Sequence, residues 1–370
     1  MTALFRRITK RQFFMNYSLR ILTAVLLTAG AMHSRAATLT LFAGGGAKAT
    51  GLATDCRLAD PFATDFDAAG NTYICEMTNN RVVKVDSRGQ LTVFAGTTKK
   101  GGAGDGGAAA DAELNGPHHL IVAKNGDVFI ADTWNWKVRR IDAATGVITT
   151  FAGTGQRGYS GDGGAAKSAQ FSGTYSLAFD AAQENLFVAD LENRRVRAIE
   201  MATGKARLIA GNGQKGIPTN GSDAATSPLL DPRAVAVAAS GDVYILERGG
   251  HALRVVDTKG KIRTVVCTGK AGGVTPTTNP LEVTLKGPKH LWVDRDDTVL
   301  IVDSENDALR RYVPKENKVL LVAGTGKRGA TLHSVPLKTE LRHPHGVNVD
   351  AKGRIYISDS MNSRVLRITP

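Results

Sequence analysis

The chain has 370 residues, 42% of them hydrophobic and 6% aromatic, with 47 Lys and Arg against 34 Asp and Glu and a formal net charge of +13. Six of those cations and none of the acids fall in residues 1–36, which leaves 41 cations against 34 acids, or +7, for the rest. That moderate excess is enough to steer an anionic partner and is equally what solubility asks for. Three cysteines, Cys56, Cys75 and Cys267, exclude a fully paired disulfide framework; a Cys56–Cys75 bridge stays open at this point.

In chain order, residues 1–36 begin with Arg6, Arg7, Lys10, Arg11 and Arg20, then run through ILTAVLLTAGAM into HSRAA. A basic start, an apolar run of about a dozen residues and the small residues Ser34 and Ala36 describe a secretory signal peptide cleaved after Ala36. The run is short for a membrane span. Met15 offers a second start, and the residues around Arg6-Arg7 fit a twin-arginine signal poorly. The mature chain is then expected to be one domain, residues 37–370, exported to the periplasm or the extracellular space and monomeric.

Beyond the leader the sequence repeats. An acid is followed by Asn three residues on, Arg or Lys five on and an aliphatic residue six on. The full set occurs at Glu76, Asn79, Arg81 and Val82, at Asp132, Asn135, Lys137 and Val138, at Asp190, Asn193, Arg195 and Val196, and at Asp359, Asn362, Arg364 and Val365. Two further copies are incomplete: Asp303 and Asn306 precede Ala308, and Glu247 precedes Gly250 and Ala252. The marker acids are spaced by 56, 58, 57, 56 and 56 residues, an array of six units. Within each unit, short β-rich runs bounded by Gly, Asn and Asp predict four antiparallel strands. Four strands repeated six times predict a six-bladed all-β propeller, whose radial layout leaves only short, protected edges. The sixth unit ends at RVLRITP without its fourth strand, whereas TLTLFAGGG, residues 38–46, matches the fourth strand VITTFAGTG. The N-terminal strand is therefore expected to complete the last blade and close the ring.

The stretch NGDVFIADTWNWKVRRIDAATGVITTFAGTGQRGYSGDGG resembles an NHL repeat of the bacterial secreted type, and the resemblance extends over residues 38–370. It implies the propeller fold but no one function, since proteins with NHL propellers bind RNA, bind proteins or act as enzymes. An export signal disfavours the nucleic-acid role.

A group made four times over is explained first by structure: the acid takes up turn N–H groups, the Asn satisfies backbone there and the cation pairs with an acid. The loops AGDGGAAADAEL and SGDGGAAKSAQF could present Asp105 and Asp162 to Ca²⁺, but they lack the dense oxygen set such a site needs and read better as a tight turn leading into a short helical segment. Cys267 replaces the Ala of the FAGT strand and reads as a small buried residue.

Function is sought where equivalent positions differ. The innermost strands start at Pro61, Pro117, Thr174, Pro232, Pro288 and Pro344, and the next residues are Phe62, His118, Tyr175, Arg233, Lys289 and His345, with His119 and His290 one further on. These starts ring the central channel at one face. The loops between second and third strands open on the same face and add Trp134, Trp136, Arg194, Arg248 and His251 with Met77 and Met361. The ring is rich in cations and aromatics and holds no acid. One reading is a binding site for a protein or for an anionic or sugar-like ligand, in which Arg233, Lys289 and the histidines donate hydrogen bonds and Trp134 and Trp136 offer stacking faces. Another is a metal centre in which His118, His290 and His345 hold Zn²⁺. That alternative resembles the peptidyl-hydroxyglycine amidating lyase, a six-bladed propeller with a histidine-held zinc near a Tyr and an Arg; the resemblance implies those places for Tyr175 and Arg233, although His290 sits one position later than the other two histidines. Gluconolactonase-like propellers imply a Ca²⁺-dependent hydrolase with acids in the channel, which the acid-free ring does not support.

Overall fold

The computed structural model describes residues 37–370; the expected signal peptide lies outside the described residues. Six antiparallel sheets follow one another along the chain, each with four radial strands, and two of them gain a short fifth strand, Gly51–Leu52 or Ser222–Asp223, on the outer edge. Only short 3₁₀ turns interrupt the strands. The innermost strands are Pro61–Phe66, Pro117–Val122, Thr174–Phe179, Pro232–Val237, His290–Val293 and Gly346–Val349, for blades 1 to 6.

The ring closes as the sequence predicts. Thr38–Gly44 pairs antiparallel with Arg364–Thr369, from Thr38 opposite Thr369 to Gly44 opposite Arg364, as the outer strand of blade 6. Leu39 and Ala43 are buried there, and Phe42 lies edge-on to Tyr356 with ring centroids 4.9 Å apart. Apolar side chains gather in six clusters, one at each blade junction, because a sheet hydrophobic on both faces must be covered on both. The junction of blades 6 and 1, for example, joins Ala43, Tyr356 and Val365 to Leu58, Ile74, Val83 and Leu91.

The repeated acid is structural, with two amendments. Asp132, Asp190, Asp303 and Asp359 accept the backbone N–H of Asn115, Ser172, Lys286 and Arg342 at 2.7–2.9 Å. In the same four blades the Asn amide donates both to the acid and to a loop carbonyl, Asn135 to Asp132 and to Gly101 at 2.7 Å each, and likewise Asn193, Asn306 and Asn362. The Asn makes this pair of bonds where the acid is Asp, whereas Asn79, three residues after Glu76, makes neither among the described residues. Where the acid is Glu the longer side chain takes the space: a Cβ on Gly250 would stand 2.7 Å from Glu247 Oε2.

The second amendment concerns the cation. Arg81 and Arg364, five residues on, pair with Glu76 and Asp359. In the other four blades the partner is seven on: Arg139 to Asp132 at 3.4 Å, Arg197 to Asp190 at 3.9 Å, Arg254 to Glu247 and Arg310 to Asp303 at 2.7 Å. Positions five and seven share one face of a strand, so either serves. Arg195 instead lies over the Tyr159 ring at 3.6 Å.

Asp105 and Asp162 pair with Arg139 and Arg197 at 2.9 and 2.8 Å, and their Gly-rich loops lead into the 3₁₀ turns Ala109–Asp111 and Ala166–Ser168. All three cysteines are free and buried, so the Cys56–Cys75 bridge is not formed; the Cys75 thiol donates to the Pro117 carbonyl at 3.1 Å. Cys267 is 1% exposed within the core of blades 4 and 5.

Candidate functional site

The first residue after each inner-strand start faces the channel mouth. In blades 1 to 4 the pairing between first and second strands shifts register there, skipping Phe62, His118, Tyr175 and Arg233. Such a bulge releases the residue from the ladder and re-aims its side chain. Lys289 and His345 stand in the equivalent place just before the inner strands of blades 5 and 6, anchored by their N–H groups to Val302 and Ser358 carbonyls at 3.0 Å.

These side chains meet as a ring. Phe62 stacks on His345 with centroids 3.9 Å apart and meets His118 edge-on at 5.1 Å. His118 meets Tyr175 at 4.6 Å, and the Arg233 guanidinium lies 4.5 Å over the Tyr175 ring. Trp134 stands at the rim, 42% exposed and 5.5 Å from His118.

Two cations here have no acid partner. Arg233 is 5% exposed, and neither it nor Lys289 makes a side-chain hydrogen bond or ion pair among the described residues. Burial pulls Arg233 down to about 10. Burial, with Arg233 and Arg248 nearby, brings Lys289 down to about 8. His118 and His345 are held well below the ordinary histidine value, first by burial and then by Arg233. Their Nδ1 atoms lie 2.7 Å from the Gly116 carbonyl and 2.8 Å from that of His343, so each neutral ring donates from Nδ1 and keeps an unprotonated Nε2.

His119 and His290 lie one layer deeper. They come from opposite blades, are 6% and 7% exposed and meet across the channel with Nε2 atoms 2.8 Å apart. Their Nδ1 atoms face the N–H groups of Leu177 and Val347 at 3.3 and 3.4 Å. Burial brings His290 down to about 3 and holds His119 low as well, so both rings are neutral; the ring whose Nε2 accepts carries its proton on Nδ1, and the backbone N–H facing that Nδ1 goes unaccepted. His290 is therefore engaged with His119 rather than grouped with His118 and His345, because one step along the strand changes the layer. Among the described residues no three His, Cys, Asp or Glu side chains are grouped to hold a metal ion.

Several rim residues depart from expectation. The fourth residue after the marker acid is left-handed in every blade, at Asn80, Trp136, Arg194, His251, Asp307 and Ser363, with φ between 47° and 53°. That turn sends Trp136 outward against the core between blades 2 and 3, away from the mouth. His251 accepts the Gly287 N–H at 3.1 Å, and Arg248 pairs with Asp231 at 2.8 Å. Sequence reasoning did not find the open cleft of about 400 Å³ beside the ring between blades 3 and 4, where Arg157, Arg194, Lys215 and Arg248 stand with Glu192 and Asp231. Lys215 lies in a connecting loop, and Asp231 directly precedes the inner-strand start Pro232, one position before the residues compared between blades.

Lys289 carries a stability consequence. Its folded pKa of about 8 lies below the value of 10.5 for a free lysine, so between these pH values the unfolded chain holds more protons and stability rises with pH. Below pH 8 the penalty is fully present. Lys289→Met is expected to stabilise the ligand-free protein at pH 7 by ~1–2 kcal/mol after allowance for solvent screening, about 2–4 °C in thermal midpoint, and to abolish much of the gain between pH 8 and 10. Thermal melts across that range read both effects; a lower midpoint at pH 7 would contradict the reading.

Six radial blades with an inner ring of variable residues define a β-propeller. The Teneurin NHL domain family model matches residues 199–369. The chain is 26% identical over 70% of its length to Protein SUPPRESSOR OF QUENCHING 1, chloroplastic, of Arabidopsis thaliana, of which it covers 25%. It is 22% identical over 82% of its length to NHL repeat-containing protein 2 of Gallus gallus, of which it covers 46%. It thus spans less than half the length of either relative. An auxiliary nutrient binding protein from Bacteroides ovatus superposes with a TM-score of 0.64 at 17% identity, over 90% of this chain and 77% of that one, a likeness of fold. The chain is a six-bladed β-propeller, and the family model and these relatives support its reading as an NHL-repeat propeller. Among the described residues no helix is long and apolar enough to cross a membrane.

Proposed function

We propose that this propeller is an exported binding module that takes an anionic ligand at the channel mouth. The observation that carries the reading is the buried Arg233 guanidinium, stacked on Tyr175 and unpaired, with Lys289 beside it in a ring without acids. A buried charge without a partner is costly, and an incoming carboxylate or phosphate would supply the missing charge and hydrogen bonds. The likeness to a nutrient binding protein supports a binding role, and the basic, apolar and small-residue order of residues 1–36 supports export. The test is a calorimetric screen of acidic polysaccharides, acidic peptides and small carboxylates and phosphates against the native protein and Arg233→Gln, Lys289→Gln. A ligand of this site is expected to bind the double variant about 30-fold more weakly or worse, and native affinity is expected to fall with salt and above pH 8 as Lys289 loses its proton. Equal binding by both proteins would move the site elsewhere.

A second reading is kept by one observation. His118 and His345 each donate Nδ1–H to a carbonyl, which fixes the tautomer that presents Nε2, as metal-bound histidines do. A zinc-dependent lyase or hydrolase would use those two nitrogens with ligands from substrate or solvent. Stoichiometric zinc in the purified protein, lost on His118→Ala or His345→Ala, would favour it over the binding module.

A further inference from the structure

Trp134 is the residue at the mouth that neither the fold nor the charge argument explains. Two residues after the marker acid the other blades have Thr78, Glu192, Gly249, Glu305 and Met361, so the turn itself asks for no aromatic ring. The indole is nevertheless held in place. Its backbone N–H donates to the Asn115 carbonyl at 3.1 Å, and the Asn115 amide donates back to the Trp134 carbonyl at 3.3 Å. The six-membered ring lies against Gly116, where an added Cβ would come within 2.2 Å of it. Gly116 also has φ +56°, so both space and backbone favour glycine there. His118 braces the indole edge-on, and 42% of the residue stays open to solvent. The Lys100 ammonium stands 6.0 Å from the ring centroid, exposed and without an ion pair among the described residues.

We propose that Trp134 is a stacking platform for an acidic pyranose, and that the ligand of the mouth is an oligosaccharide of uronic-acid type. This rests on the reading of the mouth as an anion site. The C–H face of a pyranose packs on an aromatic face, while its carboxylate pairs with a nearby cation, here Lys100, whose ammonium lies over the indole and would swing to the ring edge as the sugar stacks. A chain of contacts, Trp134 to His118 to Tyr175 to Arg233, leads from this platform to the buried guanidinium, so a neighbouring sugar's carboxylate reaches Arg233 and Lys289. An acidic peptide or polyphosphate would use the cations but leave the indole idle.

The test uses the full mature protein with three probes, oligogalacturonates of two to six units, the same oligomers with their carboxylates reduced to alcohols, and oligoglutamate, followed by calorimetry and tryptophan fluorescence. Oligogalacturonate is expected to bind best and the reduced oligomers at least tenfold more weakly. Trp134→Ala is expected to cost about tenfold for oligogalacturonate, Trp134→Phe appreciably less, and neither to change oligoglutamate binding. Lys100→Gln should weaken oligogalacturonate alone. If oligoglutamate binds as well as oligogalacturonate and both are lost in Arg233→Gln, Lys289→Gln but unchanged in Trp134→Ala, the glycan assignment is overturned while the anion site stands. If no probe binds the native protein, the glycan assignment falls, and the anion site is decided by the wider screen of carboxylates and phosphates. Because Trp134 is exposed, thermal midpoints within about 2 °C of native are expected for its variants, so a loss of binding is not a loss of fold.

Discussion

Removing residues 37–46 is expected to lower the thermal midpoint by about 10 °C or more and to blur the unfolding transition. The deleted strand supplies the outer edge of blade 6, with register pairs from Thr38 to Gly44, and takes with it the buried Leu39 and Ala43 and the Phe42 contact on Tyr356. Burial of one large aliphatic side chain is worth ~1.5–3 kcal/mol, and with the lost ladder and the Phe42 contact the total reaches about 5 kcal/mol or more. The damage also spreads to a junction, because Leu39 belongs to the cluster between blades 5 and 6 and Ala43 to that between blades 6 and 1. A permuted chain that carries residues 38–46 after Pro370 through a short linker should recover most of the midpoint. If the truncated protein melts like the native one, closure by this strand contributes nothing to stability.

Closure was legible in the sequence because the evidence for it is periodic. A strand missing from the last unit and a matching strand before the first have one reading in a ring. The mouth was legible for the same reason: Phe62, His118, Tyr175, Arg233, Lys289 and His345 occupy one position of the repeat, and the structure brings them together. What escaped depends on geometry that spacing does not carry. His119 and His290 are 171 residues apart and meet only because blades 2 and 5 are opposite in the ring. Trp134 and Trp136 look equivalent in sequence, yet the left-handed turn at Trp136 sends one to the core and leaves the other at the rim. The switch of ion-pair partner from position five to position seven was visible as Arg139, Arg197, Arg254 and Arg310, a second periodic column that the first match obscured.

That second column leads to the other large effect, expected at Arg254. Blade 4 lacks both the Asn and the cation of the usual set, having Gly250 and Ala252, so its buried Glu247 depends on fewer partners. Glu247 is 0% exposed; Oε1 accepts the Leu230 N–H at 2.6 Å, and Oε2 accepts Arg254 Nε–H at 2.8 Å, with the Nη2 charge 2.7 Å away. Arg254 is itself 1% exposed and donates from Nη1 to Thr264. Arg254→Leu therefore leaves a carboxylate inside the blade with one N–H donor and no counter-charge, and breaking one side of such a pair costs ~3–5 kcal/mol. Chemical denaturation at pH 7 should show a loss of that size with ligand affinity at the mouth unchanged. Adding Glu247→Gln to Arg254→Leu removes the stranded charge while keeping an acceptor for Leu230, so the double variant should be more stable than Arg254→Leu alone. At Asp359, where Arg364, Asn362 and the Arg342 N–H all converge, loss of the arginine leaves two donors rather than one, and Arg364→Leu should cost less than Arg254→Leu. Equal costs at the two blades would mean that the counter-charge alone, and not the number of remaining donors, decides how a buried acid is tolerated in this ring.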